Sequence, residues 1–411
     1  MKRSIALLLA LILLLCGCSA PSAETEPTEK QYSQNYPKIE NPVSAERIAQ
    51  FPVKSGDMTE AEMRKLAVDF FEYSKTALWT PDREFHYIKT GEGATDDIHL
   101  GVIYGGLPYI AVASGNVYRL AEYADENGVV DMTEAEKEPK RFGNQCSLAS
   151  SWGWARVINS AEFSWTYQMV HQKGFLRVGP YTYNDNLVRF GGGASPTTGA
   201  IANENGPEVM FQSYAAMKMA DGLVNYNEAG HAMMVYRDPV VVIGPNNKID
   251  GASSYVEIID QFGSWTESTT EDGVTYTHKD YVGRKMTFTQ LLQDGYLPFT
   301  FAEFSGADPI EETECVYSHS GDTINTQQLM AATVTANYSI SDVFICLKDG
   351  DKTVLRDVYR ADTVGVKSTN IYKALSTKQW AEYTDKGYTV EISVQLGTGE
   401  CPVIYTGKFV P

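Results

Sequence analysis

Hydrophobic patterning changes character once along this chain, near Glu312. Before that point, apolar residues recur every third or fourth position in some segments and every second position in others. After it, only short period-two runs remain, at 331–334, 343–347, 389–396 and 403–410, with turn residues between them. Such a chain folds as an α+β portion followed by an all-β portion of about 100 residues, expected as a small immunoglobulin-like sandwich. A length of 411 residues fits two or three domains. Hydrophobic residues make up 43%, enough for sizeable cores and too many for wholesale disorder.

Within the α+β portion, Thr59-Glu60-Ala61-Glu62 is a capping box. Met63, Leu66, Ala67, Phe70, Phe71 and Leu78 follow at helical spacing, predicting a helix over 59–79. Residues 98–110 read as extended chain broken by Gly105, Gly106 and Pro108. Residues 145–173 read as one long helix ending before Gly174, and 174–207 as a long surface loop rich in Gly, Pro, Asn and Thr. Short strands are expected at 223–224, 231–236, 240–243 and 255–259. A second capping box at Thr287 opens a helix stopped by Gly295 and Pro298.

The first residues carry an address. Lys2 and Arg3 precede an unbroken apolar run over 5–15, too short to span a bilayer and charged at its start like a secretory signal. The run ends in Leu15-Cys16-Gly17-Cys18, which resembles the bacterial lipobox. That resemblance implies cleavage after residue 17, a lipid on Cys18, and a protein anchored on the extracytoplasmic face of the bacterial cell membrane. Residues 18–45, rich in Ser, Pro, Glu, Thr and Gln, read as a flexible tether. The folded parts are then 46–306, a hydrolase-like domain with an N-terminal helical extension, and 307–411. Acids outnumber bases 52 to 34, a net charge of −18. So acidic a chain is a poor partner for nucleic acid or an anionic membrane surface.

With Cys16 in the signal and Cys18 at the anchor, four cysteines remain. Cys315, Cys346 and Cys401 crowd the last hundred residues, where at most one disulfide can form. Cys146 stands alone and opens the segment Gly143-Asn144-Gln145-Cys146-Ser147-Leu148-Ala149-Ser150-Ser151-Trp152-Gly153-Trp154-Ala155. At a helix start, its sulfur would meet unpaired N–H groups and the positive end of the macrodipole. Ala149, Ser150 and Gly153 leave that helix face small, so a catalytic strand can approach it. His231, in Gly230-His231-Ala232-Met233-Met234-Val235-Tyr236, opens one face of a strand and is the candidate base. Tyr255-Val256-Glu257-Ile258-Ile259-Asp260-Gln261 supplies the group that orients the ring. Asp260 and Gln261 point to opposite faces, so only one can serve, and Asp260 is preferred. His86, His99, His171, His278 and His319 have no comparable setting.

Cys146-Ser147 at a helix start, a later Gly-His on a strand and a polar residue on the next strand resemble the NlpC-type cell-wall peptidases of the papain-like cysteine peptidase superfamily. Asp221-Gly222-Leu223-Val224 is similar to their Gly-Asp-Leu-Val turn with two residues exchanged. Tyr104-Gly105-Gly106-Leu107-Pro108-Tyr109 is similar to the segment lining their substrate groove. The resemblance covers residues 95–265. Gln145 and Leu148 depart from the usual Asp and Gly, although Gln before Cys is similar to the related CHAP amidases. It implies a papain-like domain in which Cys146 attacks, His231 shuttles the proton, Asp260 orients it, Gln145 and backbone N–H groups hold the oxyanion, and Tyr109 contacts substrate. Trp152 is a further candidate contact, although tryptophans on one helix more often pack. The implied substrate is a peptide or amide, foremost the stem peptide of peptidoglycan.

A second register is possible. Asn144 to Trp152 also resembles papain, with Gln145 six residues before a nucleophile position held by Ser151; that implies a serine variant or an inactive enzyme that binds peptide or glycan. Cys146 and Ser151 lie about 140° apart around a helix and cannot both face His231. Cys146 is the better nucleophile. No pair of His or Cys falls at a metal-ligand spacing, and Gly191-Gly192-Gly193 lacks the Lys of a phosphate loop, so no metal or cofactor is expected.

Overall fold

Thr59 caps a helix running Glu60–Thr76, its hydroxyl accepting from the Glu62 N–H while the Glu62 carboxylate accepts from the Thr59 N–H. The computed structural model describes residues 36–88, 95–110, 114–137, 139–162, 166–170, 174–183, 188–190, 193–227, 230–262, 269–276, 282–308, 311–383 and 387–410. The signal segment, Cys18, Trp165, His171 and His278 lie outside them. The helix ends at Thr76, short of 79, because Leu78–Pro81 joins a sheet: Leu78 and Trp79 pair with Gly105 and Tyr104.

The protein is mixed α and β. One sheet has six antiparallel strands, in the order Val282–Thr287, Tyr255–Asp260, Gly230–Val240, Gly222–Tyr226, Leu297–Phe301 and Phe175–Arg177. Ala232, Met233, Met234 and Val235 are all fully buried, an unbroken apolar run that suits a strand covered on both faces. The helix Cys146–Ala155 packs on this strand. A Cβ on Gly153 would lie 2.8 Å from the Met234 methyl and 3.1 Å from Phe71 Cβ, so the small helix face admits the strand as expected. The Asp221-Gly222 turn is structural. Asp221 is buried and bonds Arg64 Nη1 at 2.7 Å, while a Cβ on Gly222 would meet the Phe299 ring at 2.1 Å.

Two readings of this region are corrected. The Cys146 helix stops at Ala155 instead of running to 173. Arg156, next in the chain, sends its guanidinium to Tyr118 Oη and to the Phe51 and Pro52 carbonyls, and Ser160 is fastened to Glu303 through its N–H and hydroxyl. These tertiary bonds override helix propensity. The 174–207 region is not one loop. Phe175–Arg177 is an edge strand of the main sheet, and a helix begins after the Thr197 cap and runs Thr198–Ala215. Gly206, at φ 74°, divides that helix, and Pro207 restarts it at a position needing no N–H donor.

The described residues before 311 contain two cores, and the ordered fold begins ahead of residue 46, since Val43 is fully buried and Ser44 caps the helix Ala45–Ile48. Val43, Ile48, Phe70, Trp79, Tyr104 and Val117 form a second cluster around a mixed sheet ordered Thr269–Glu271, Val274–Tyr276, Ile103–Gly105, Leu78–Pro81 and Val129–Val130. Beyond residue 311, three strands (Cys315–Tyr317, Thr333–Ala336, Ser368–Asn370) and five (Thr323–Ile324, Val403–Phe409, Thr389–Leu396, Ile340–Asp349, Lys352–Arg360) share a third core. Along Thr389–Leu396, Val390, Ile392, Val394 and Leu396 are all fully buried, the expected alternation. The strand Lys352–Arg360 escaped the sequence reading because its charges mask the period.

Pro37–Pro411 forms one compact unit. Polar bonds hold the C-terminal sheets to the rest. Arg119, fully buried, reaches Asp342 Oδ1 at 3.0 Å and the carbonyls of Ser114, Ser341 and Ala361. Tyr118 Oη donates to Gly397 O at 2.9 Å. Cys315, Cys346 and Cys401 are free thiols.

Candidate active site

Gln145 sits in extended conformation (φ −119°, ψ 170°) as the N-cap of the helix that Cys146 opens; its side chain makes no cap bond. The first N–H groups of a helix have no partner within it, and the sulfur accepts from the Ser147 N–H and from the Ala232 N–H of the neighbouring strand. Cys146 is 6% exposed.

The strand register delivers the other two groups. Asp260 pairs with Met233, two residues past His231, so the two side chains are diagonal neighbours on one sheet face. His231 Nε2 lies 2.8 Å from Asp260 Oδ2. His231 also hydrogen-bonds Cys146, and with Nε2 committed to the carboxylate, Nδ1 is the nitrogen left for sulfur. Asn225 Oδ1 accepts from the His231 N–H at 2.8 Å, fixing the strand start.

Burial alone would raise the Cys146 thiol, but the His231 charge, its hydrogen bond and the two N–H groups outweigh it and bring the thiol below 9.0. Burial likewise opposes charging of His231; the Cys146 charge and the hydrogen bonds to Asp260 and Cys146 overcome it and hold the imidazolium up to about 10. Each charge favours the other, which biases the pair toward thiolate and imidazolium. Asp260 is kept ionised against its burial by His231, then by Arg284.

Gln261 leaves the opposite face of the strand. Its amide accepts from Lys75 Nζ and donates to Leu107 O at 3.0 Å, so it does not orient the ring. Glu257 pairs with Arg237. Ser151 is fully buried, and its hydroxyl donates to Glu162 O at 3.4 Å, away from His231. Tyr109 is half-buried beside the nucleophile: burial first and the Cys146 charge next push its phenol upward. Asn144 N–H donates to Pro108 O and Ile110 N–H to Asn144 O, each at 3.0 Å, so the Tyr109 segment runs along the Cys146 approach. Trp152, the other candidate contact, faces the core. It is 3% exposed and packs in the main core with Leu148 and Ala149. His86 and His99 pair with the surface carboxylates of Asp97 and Glu84.

Two residues escaped the sequence reading. Arg284 Nη2 bonds the same Asp260 oxygen at 2.8 Å; it lies in the polar stretch Gly283-Arg284-Lys285, which carries no motif. Lys75 is 2% exposed, and burial pushes its ammonium down to about 7 against the pull of the Asp260 charge. Its signal was present, since Lys75 falls four residues after Phe71 on the apolar helix face. Phe262 packs edge-on against the His231 ring at 5.3 Å.

Among the described residues, no His, Cys, Asp and Glu cluster is placed to hold a metal, and no helix is long and apolar enough to cross a membrane. Comparison with protein-family models, curated proteins and solved structures found no match.

Proposed function

We propose that this protein is a cysteine hydrolase of peptide or amide bonds on a papain-like scaffold of the NlpC type. The observation that carries the reading is the convergence of a helix-capping thiol, an imidazole and a buried carboxylate. The Cys146 thiolate attacks the carbonyl carbon, forming a C–S bond. The oxyanion is held by helix N–H groups, with Gln145 beside them. His231 gives its proton to the leaving nitrogen as the C–N bond breaks. Water, deprotonated by His231, then hydrolyses the thioester, releases the acid and restores the thiol. The substrate is the stem peptide of peptidoglycan, reached by a protein lipid-anchored at Cys18 on the extracytoplasmic membrane face; the C-terminal strands form an immunoglobulin-like sandwich. This part rests on the sequence resemblance.

Labelling the ectodomain with a thiol-directed electrophile at neutral pH tests the reading. Rapid modification of Cys146 that depends on His231 is expected. Slow labelling indifferent to His231→Ala would instead identify a binding protein on a retained peptidase scaffold.

A further inference from the structure

On the His231 side, the site opens into a cavity of about 200 Å³ whose wall includes His231, Asp260, Arg284, Asp294 and Tyr296. That is room for about seven waters, or one small amino-acid residue. Three of these side chains keep hydrogen-bonding capacity that the fold does not use. Arg284 gives Nη2 to Asp260 and to the Met233 sulfur, while its Nη1 and Nε make no hydrogen bond among the described residues. A guanidinium carries five donors in a fixed fork, and this side chain is 33% exposed. Tyr296 bonds through its backbone to Leu291 and Tyr214, and its hydroxyl makes no hydrogen bond among the described residues. Burial, then the Asp260 carboxylate, keeps that phenol protonated and hence a donor. Asp294 stands exposed at the rim. Its carbonyl accepts from Asn225 and Asn227, and its carboxylate makes no hydrogen bond among the described residues.

The chemistry decides which part of a substrate enters. His231 must protonate the leaving nitrogen, so the group filling the cavity it walls is the leaving side. Arg284 and Tyr296 both wall the cavity, and a charged guanidinium N–H together with a phenol O–H offers one donor to each oxygen of a carboxylate. Resting on the thiol-hydrolase reading, we infer that this cavity is the leaving-group subsite, that it receives a residue bearing a carboxylate, and that Arg284 selects it. The carboxylate belongs either to the chain terminus or to an acidic side chain of that residue. Asp294 accepts from an N–H on the same residue and disfavours a second anion.

Protection of Cys146 from iodoacetamide, measured on the whole protein at neutral pH, tests this. Three small molecules stand in for the released fragment: alanine has a terminal carboxylate, glutamic acid α-amide a side-chain carboxylate, and alaninamide neither. One of the two carboxylates should protect at about tenfold lower concentration than alaninamide, and which one does so identifies the source. Arg284→Gln should abolish the difference. Arg284→Lys, which keeps a cation beside Asp260 but not the additional N–H groups of the guanidinium, should lose most of the preference. Equal protection by all three, or a preference that survives Arg284→Gln, overturns the subsite and leaves the hydrolase standing. Alkylation of the unprotected protein that is as slow as in His231→Ala overturns both.

Discussion

His231 and Asp260 meet at 2.8 Å although they are not strand partners; the residue across from Asp260 is Met233. The diagonal placement sets the ring with Nε2 on the carboxylate and its other nitrogen toward the helix start. The same carboxylate oxygen receives Arg284 at 2.8 Å, so the negative charge that orients the ring is itself held from a third strand.

Alkylation of Cys146 should rise as pH climbs through a thiol value below 9.0, then stay level until His231 loses its proton near about 10. Between those limits the thiolate and imidazolium coexist. In His231→Ala, burial acts on the thiol without the compensating charge, so the rise should move above 9.0. The rate at pH 7 should fall about a hundredfold. A stopped-flow labelling series across pH reads both.

Asp260→Asn preserves the shape and removes the charge. Peptide hydrolysis should drop about 10²- to 10⁴-fold. The upper limb of the labelling profile should also move below about 10, because a source of the raised His231 value is gone. Steady-state rates together with the pH profile distinguish this from misfolding, which would abolish rapid labelling altogether.

The meeting of Cys146, His231 and Asp260 was legible because each position depends on local pattern: a helix start, a strand start, and the two-residue alternation that separates Asp260 from Gln261. The Thr59 and Thr287 capping boxes were legible for the same reason. What escaped was set by long-range bonds. Arg156 and Ser160 end the Cys146 helix through partners more than 30 residues away in the chain. Gly206 and Pro207 resemble loop residues but divide a helix into two good halves. Arg284 has no local signature, since its importance arises only when Val282–Thr287 pairs with Tyr255–Asp260. Trp152 shows the converse, an aromatic near the nucleophile whose heptad position sends it inward.

Lys75 should make stability depend on pH in an unusual window. Its folded value of about 7 lies below the ordinary 10.5, so the unfolded chain binds the extra proton between those limits. The penalty of burying the ammonium is full below about 7 and fades as pH approaches 10.5. Wild-type stability measured against Lys75→Met should therefore rise over this range. Denaturant titrations at several pH values check it; a flat difference would refute it.

Trp152→Ala should cost about 3–5 kcal/mol of stability, as expected for emptying a packed core site. Trp152→Phe, which keeps most of the volume, should leave the labelling rate of Cys146 unchanged. A raised KM with unchanged stability in either variant would return Trp152 to the substrate groove.

The Arg119 guanidinium ties four positions, the Asp342 carboxylate and the Ser114, Ser341 and Ala361 carbonyls, into one knot that fastens the C-terminal strands. Shearing them off would expose a cation stripped of its counter-ion, so a trimmed N-terminal part is not a miniature of the parent. Strands and cleft are consequently stitched together by buried polar bonds, like two parts of a single casting.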